Sequence, residues 1–540
     1  MSKVIEILSS LTVPSLTEHI GYQKAQALAD CGIQVTSENL AQALYLEKGL
    51  GVFKSKSLRA ELLANLGVDK LKEIYGHNES FSSLVVSETS FSWGNNKKTK
   101  NFLENIGIED VDLSPSEAKL KIDSVSPSSP LHGYQDWLRK KIVSFMRADE
   151  ERRAIVHMPT GAGKTRTSLE AVCDYLRQSI EKDVTIVWLA HSQELCQQSL
   201  ESFERLWSRL GTTKVNMYGL WGGAELPKSK FEGFNFIVIS FQTAYSFITS
   251  NRDENFSKSQ EISRKCKLII VDEAHQSVAP TYQTAIEGLS SFHTKILGLT
   301  ATPGRHHIGG DEADTKKLSD FYENRKLSIS DGNGEYLENP IEYLTNLGVL
   351  ARVQRFQIQT NSDLKLSQSE LLSMQKFMDI PDSVLKRLGE DAQRTNLVAT
   401  QALKLAVEMN YQTIIFAPSK ENSILLAILL KMRGCEAESV TSEMMASDRQ
   451  QAIEKFKNGE IQVLTNFGVL TTGFDSPNIK AVIIARPTLS VVLYSQMVGR
   501  GLRGPAMGGE SECIIVDVVD NITNMPTADQ AFTYFDDQFN

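Results

Sequence analysis

A chain of 540 residues is too long for one core, and at about 150 residues per domain it implies three or four domains. Its 41% hydrophobic and 23% charged residues are ordinary globular usage, which excludes a mainly disordered or collagen-like chain. With 57 basic and 66 acidic residues the formal charge is −9, so any nucleic acid would be held by local contacts and not by bulk charge.

The opening residues, MSKVIEILSSLTVP, break a short apolar patch with Glu6 and serines and make a poor signal peptide. Residues 1–128 read as a mostly helical accessory domain. They repeat one device: Leu28-x-x-Cys31-Gly32-Ile33, Leu63-x-x-Leu66-Gly67-Val68 and Leu103-x-x-Ile106-Gly107-Ile108. Each puts glycine at C′ and pairs the residue after it with the leucine four before it, as in a Schellman cap. Spacings of 35 and 40 residues are not a strict repeat, so these read as ordinary helix ends and not as a repeated nucleic-acid module. The segment carries more acid than base, which favours a protein partner over DNA as its target. The stretch SVSPSSP (Ser124 to Pro130) then reads as a linker.

Beyond it, short runs of Val, Ile and Leu alternate with helical stretches. The first set is Ala154–His157, Val184–Ala190, Phe236–Ser240, Leu268–Val271 and Ile296–Leu299. The second is Thr413–Phe416, Ala437–Thr441, Val463–Thr465, Ala481–Ala485 and Cys513–Val516. This pattern predicts an α/β chain with two tandem parallel-sheet domains, at 129–335 and 336–540. The cysteines at 31, 173, 196, 266, 435 and 513 include no CxxC pair, which fits a reducing compartment and a cytoplasmic protein. No apolar run approaches the roughly 18 residues that span a bilayer, so no membrane contact is expected.

The run Ala154–His157 leads into MPTGAGKT (Met158 to Thr165) and then a helical stretch. This is the strand–loop–helix context of a phosphate loop. Thr160, Gly161, Ala162 and Gly163 offer backbone amides, Lys164 a charge for the β- and γ-phosphates of ATP, and Thr165 a hydroxyl for Mg²⁺. Further on, KLIIVDEAHQ places Asp272 and Glu273 at the end of an apolar run. Ligands of open α/β sheets bind at such ends. Asp272 is expected to hold Mg²⁺, Glu273 to orient and deprotonate water, and His275 to report the γ-phosphate state.

TGAGKT, DEAH, LTATP (Leu299 to Pro303) and QMVGRGLR (Gln496 to Arg503), in that order, resemble the motifs of superfamily 2 DEAD/DEAH-box helicases and translocases. The likeness is strongest to RadD-like enzymes through VLTTGFDSPNIKAVIIARPTLSVVLYSQMVGRGLRG, and more distant to XPB-type helicases and type I restriction motor subunits. It implies two RecA-like domains with ATP between them. It assigns adenine contact to Gln135, coupling to Thr300 and Thr302, and nucleotide contact to Gly473 and Asp475. Gln496, Arg500 and Arg503 match the last motif. Arginines three apart would share one helical face and reach the phosphates as fingers. Nucleic-acid contacts carried over are His191, Ser192, Gln193, Gln242, Thr243 and Thr465, all of which would position a strand without reading its sequence.

The expectation is therefore an ATP-driven motor on DNA, in repair or anti-phage defence. One alternative is an RNA helicase. The other, an ATP-binding scaffold for a nuclease partner, would have lost Lys164, Glu273 or Arg500, and all three are present.

Overall fold

In the computed structural model, residues 2–65, 89–108 and 130–523 are described, apart from 95, 226–229, 251–252, 302–311, 332, 336, 338, 378, 445, 471–475 and 477. Two sheets organise the chain, and every strand pair within them is parallel. The first runs β3-β4-β2-β5-β6-β1-β7. Its strands are β1 (Arg153–His157), β2 (Val184–Ala190), β3 (Val215–Leu220), β4 (Phe234–Ser240), β5 (Cys266–Asp272), β6 (Lys295–Thr300) and β7 (Lys326–Ser328). The second runs β10-β11-β9-β12-β13-β8. It holds β8 (Arg352–Lys365), β9 (Thr413–Phe416), β10 (Ala437–Thr441), β11 (Val463–Phe467), β12 (Ala481–Ile484) and β13 (Glu512–Thr523).

The central strands are legible because both of their faces are covered. All seven residues of β2 are buried, so the strand is a continuous apolar run. On one face of the first sheet lie the helices Gly133–Arg147, Lys164–Arg177 and Gln193–Leu210. Their core runs on without a break into the second sheet. On the other face lie Phe241–Ile248 and Pro280–Leu289. The apolar runs did not announce β3, β7 or β8. β3 and β8 are edge strands with one open side, and polar residues break their apolar runs.

The N-terminal helices Ser2–Ser9, Val13–Ile20, Tyr22–Asp30, Ser37–Lys48, Lys56–Asn65 and Lys97–Asn105 pack into one apolar cluster. Two of the three expected caps have Schellman geometry. Ile33 N–H donates to Leu28 O at 3.0 Å and Ile108 N–H to Leu103 O at 2.8 Å, with Gly32 and Gly107 at φ 86° and 85°. The cap at Gly67 lies outside the described residues, as does most of the Ser124–Pro130 linker.

These helices do not close a core alone. Helix Lys420–Met432, which lies on the second sheet, contributes Leu425, Ile428 and Leu429 to their cluster. Arg433 Nη2 donates to Cys31 O at 3.1 Å across the same seam. The expected separate unit is thus packed into the second α/β domain. Among the described residues, no helix is long and apolar enough to cross a membrane.

Candidate functional site

The phosphate loop leaves β1 in a conformation that needs its glycines. Gly161 and Gly163 sit at φ 84° and 90°, where a side chain is strained. Gly163 caps helix Lys164–Arg177, and a Cβ there would collide with Gln135 Nε2. Lys164 Nζ donates to Met158 O at 3.1 Å and Pro159 O at 3.4 Å, so the ammonium lies curled against its own loop. Desolvation pushes its pKa down, opposed by the charges of Glu273 and Asp272.

β5 ends in the two acids. Asp272 is 6% exposed, and its Oδ1 accepts from Glu273 N–H at 3.1 Å. Burial, reinforced by the Glu273 charge, lifts the Asp272 carboxyl well above the usual carboxylate range, against the pull of Lys164. Glu273 itself has φ 53°, the left-handed region that a non-glycine residue enters only under strain, at about 1–2 kcal/mol. Its Oε2 lies 3.4 Å from His275 Nδ1. Thr300 ends β6 beside them, fully buried, and its carbonyl accepts from Met158 N–H at 3.2 Å. Thr302 lies outside the described residues.

From the second sheet, helix Val491–Val498 brings Gln496 to the same place, followed by Arg500 and Arg503. The two arginines do not share a helical face. The helix stops at Val498, and Arg500 stands in a turn, its Nε donating to Gln496 O at 3.1 Å. Arg503 is extended and forms an antiparallel bridge with Leu350. Glycine packing ends the helix there: a Cβ on Gly501 would run into Cys513 Sγ, and one on Gly499 into Thr160 of the phosphate loop.

Thr160, Gly161, Gly163, Lys164, Thr165, Asp272 and Glu273 from one side thus face Gln496, Arg500 and Arg503 from the other, around a cavity of about 690 Å³. Gly473 and Asp475 lie outside the described residues. Ser476, which is described, lines the cavity.

Gln135 is placed differently from the expectation. Its Oε1 accepts from His132 N–H and its Nε2 donates to Ala162 O, each at 3.0 Å. The amide is 1% exposed, so it props the loop from beneath, and an adenine would have to displace one of these bonds.

The nucleic-acid candidates divide. Register pairs Ala190 of β2 with Ser240 of β4, so the following turns stand side by side at the carboxyl edge of the sheet. Gln193 and Gln242 are exposed there, while Ser192 caps its helix by accepting from Leu195 N–H at 3.2 Å. Thr243 is half-buried and accepts from Ser240 Oγ at 2.8 Å. His191 is half-buried, and burial lowers its pKa against the charges of Glu273 and Glu194. It therefore sits within electrostatic reach of Glu273. Thr465 is a correction: it is fully buried in β11, its hydroxyl donates to Ser423 O at 2.8 Å, and it cannot touch a bound strand.

The motif reading missed one wall of the cavity. Gln198, Ser202, Arg205 and Arg209 line it from helix Gln193–Leu210. Their signal was present as a polar stripe at helical spacing, opposite the buried Phe203.

Residues 128–305 match the family model of the type III restriction enzyme res subunit, and 395–504 that of the helicase conserved C-terminal domain. A Saccharomyces cerevisiae relative named as the ATP-dependent helicase IRC3 is 29% identical over 418 residues, 74% of this chain and 53% of its own length. The DNA 3'-5' translocase XPB2 of Sulfurisphaera tokodaii is 23% identical, with 68% and 78% covered. The ATP-dependent RNA helicase eIF4A of Encephalitozoon cuniculi is 25% identical, with 60% and 66% covered. The chain spans little more than half the length of relatives such as IRC3.

Proposed function

The chain belongs to helicase superfamily 2, and from that premise we propose that it is a nucleic-acid-stimulated ATPase that moves along DNA by closing and reopening its two α/β domains. One observation carries this reading: acids and a lysine from one sheet and arginines from the other converge on one cavity. A cleft built this way is complete only when the domains approach, which ties hydrolysis to domain motion.

The roles follow from the chemistry of each group. The loop amides and Lys164 hold the phosphates. Glu273, which lines the cavity just past the end of β5, holds a water in line and takes its proton. Arg500 and Arg503 bring positive charge to the phosphoryl group as it transfers. Among the described residues no group of three or more His, Cys, Asp or Glu could hold a metal alone. A magnesium ion suits the donors present, Thr165 and Asp272, with phosphate oxygens and water completing its shell. Bound there, it would neutralise phosphate charge and relieve the cost of burying the Asp272 carboxylate.

DNA is favoured because the motif pattern departs from that of DEAD-box RNA helicases and because one relative is named as a DNA translocase. The RNA reading rests on the relatives named as RNA helicases. Residues 1–128 are proposed to direct the motor to a partner protein or a DNA structure. The deciding experiment compares ATP turnover with single-stranded, duplex and branched DNA and with RNA. DNA should raise turnover at least tenfold and RNA far less, whereas the reverse order would assign the chain to RNA. Lys164→Ala should abolish turnover while the fold is kept. Glu273→Gln should bind ATP yet turn over at least 100-fold more slowly, and a Lys164→Ala protein with normal turnover would refute the site.

A further inference from the structure

The loop that carries Arg500 and Arg503 is fastened at both ends to one short stretch of chain, at 349–355. At its far end, Ala351 N–H donates to Leu502 O and Gly504 N–H to Val349 O, each at 2.9 Å. At its near end, Tyr494 lies in the first turn of helix Val491–Val498, and its hydroxyl donates to Asp517 Oδ1 at 2.8 Å. Arg355, on β8, bridges the pair: its Nη2 donates to Asp517 Oδ2 at 3.0 Å and to the Tyr494 hydroxyl at 2.7 Å. Asp517 is fully buried and Tyr494 is 2% exposed.

Such a network is a poor way to add stability. Taking a carboxylate and a guanidinium out of water costs several kcal/mol, and a well-packed apolar pair commonly does as well. What a satisfied buried network does supply is a single geometry. Here the geometry it fixes is the direction of the helix whose end presents Arg500. The same stretch also lies close to the phosphate loop: a Cβ built on Gly161 would come within 3.3 Å of Leu350 Cδ2.

We propose that Arg355, Tyr494 and Asp517 are positioning residues for the arginine loop, so that the start of β8 sets where Arg500 and Arg503 meet the phosphates. This rests on the arginine role proposed above. None of the three lines the cavity, so their effect passes through the arginines.

The test is the full chain carrying Tyr494→Phe, which keeps the ring and removes the hydroxyl, with Arg355→Lys as a second variant. Both should leave the KM for ATP within about twofold and lower kcat about tenfold, since small misplacements of a charge near the transition state act on rate. Arg500→Ala should lower kcat further, and adding Tyr494→Phe to it should cost clearly less than the tenfold it costs alone, since only Arg503 is left to misplace. Unchanged kcat in both positioning variants overturns the inference. So does a loss confined to KM, or a full additional loss in the Arg500→Ala background. Arg500→Ala with wild-type kcat would instead bring down the arginine role itself.

Discussion

His157 closes β1 one residue before the phosphate loop begins. Burial pushes its imidazole down from 6.5 to about 4, helped by the nearby charges of Lys326 and Lys164. The folded chain therefore holds it neutral where the unfolded chain would protonate it. Its contribution is complete above pH 6.5 and is lost as pH falls from there towards 4. At pH 5 the loss should be on the order of 2 kcal/mol. Thermal unfolding of the wild type and of His157→Gln at pH 7 and pH 5 checks this: the variant should lose less on acidification, and equal losses would show that other groups govern acid sensitivity. At this scale residue types were legible and their environments were not. LIIVDE placed two carboxylates at a strand end. That Glu273 adopts a left-handed backbone, with His275 Nδ1 3.4 Å from its carboxylate, is not written in that run. Gln135 and Thr465 show the same limit, since hydrogen bonds to backbone carbonyls distant in sequence decide what each side chain can reach.

Among the elements, helix Val491–Val498 departs most from its sequence reading. GRxxR has helical spacing, yet the helix ends before the first arginine. The cause is the close approach of Gly501 to β13, where a Cβ would overlap Cys513 Sγ and lie 3.0 Å from Val482 Cγ2. Gly501→Ala should therefore destabilise the chain by about 1–3 kcal/mol through overpacking and should lower ATP turnover by shifting both arginines. Combining it with Cys513→Ala should recover most of the melting temperature. A Gly501→Ala protein that melts and turns over normally would show that the loop yields freely. The Schellman caps at Gly32 and Gly107 make the opposite case. Their bonds close within six residues, so the local sequence was enough to place them.

Across the whole molecule, the N-terminal helices and helix Lys420–Met432 share one apolar cluster. Leu425, Ile428 and Leu429 are 6%, 2% and 0% exposed beneath those helices. Re-exposing each would cost about 1.5–3 kcal/mol. A chain lacking residues 1–128 should thus aggregate or bind a hydrophobic dye, in contrast to the soluble motor that a separate accessory domain would leave behind. Truncation combined with polar substitutions at those three positions should recover solubility. A soluble, dye-negative simple truncation would mean that helix Lys420–Met432 finds another cover.

Local runs of residues were enough to specify ten of the thirteen strands, the glycine-rich loop after β1, the acidic strand end and the order of motifs. Each of these is written in a run of neighbouring residues: a buried strand must be apolar throughout, and a phosphate loop must carry its glycines and lysine together. Packing between distant elements set which side chains are already engaged, where helix Val491–Val498 ends, and what covers helix Lys420–Met432. Those outcomes depend on contacts between separate segments of the chain, from Thr465 with Ser423 to Cys31 with Arg433, whose register no local pattern specifies.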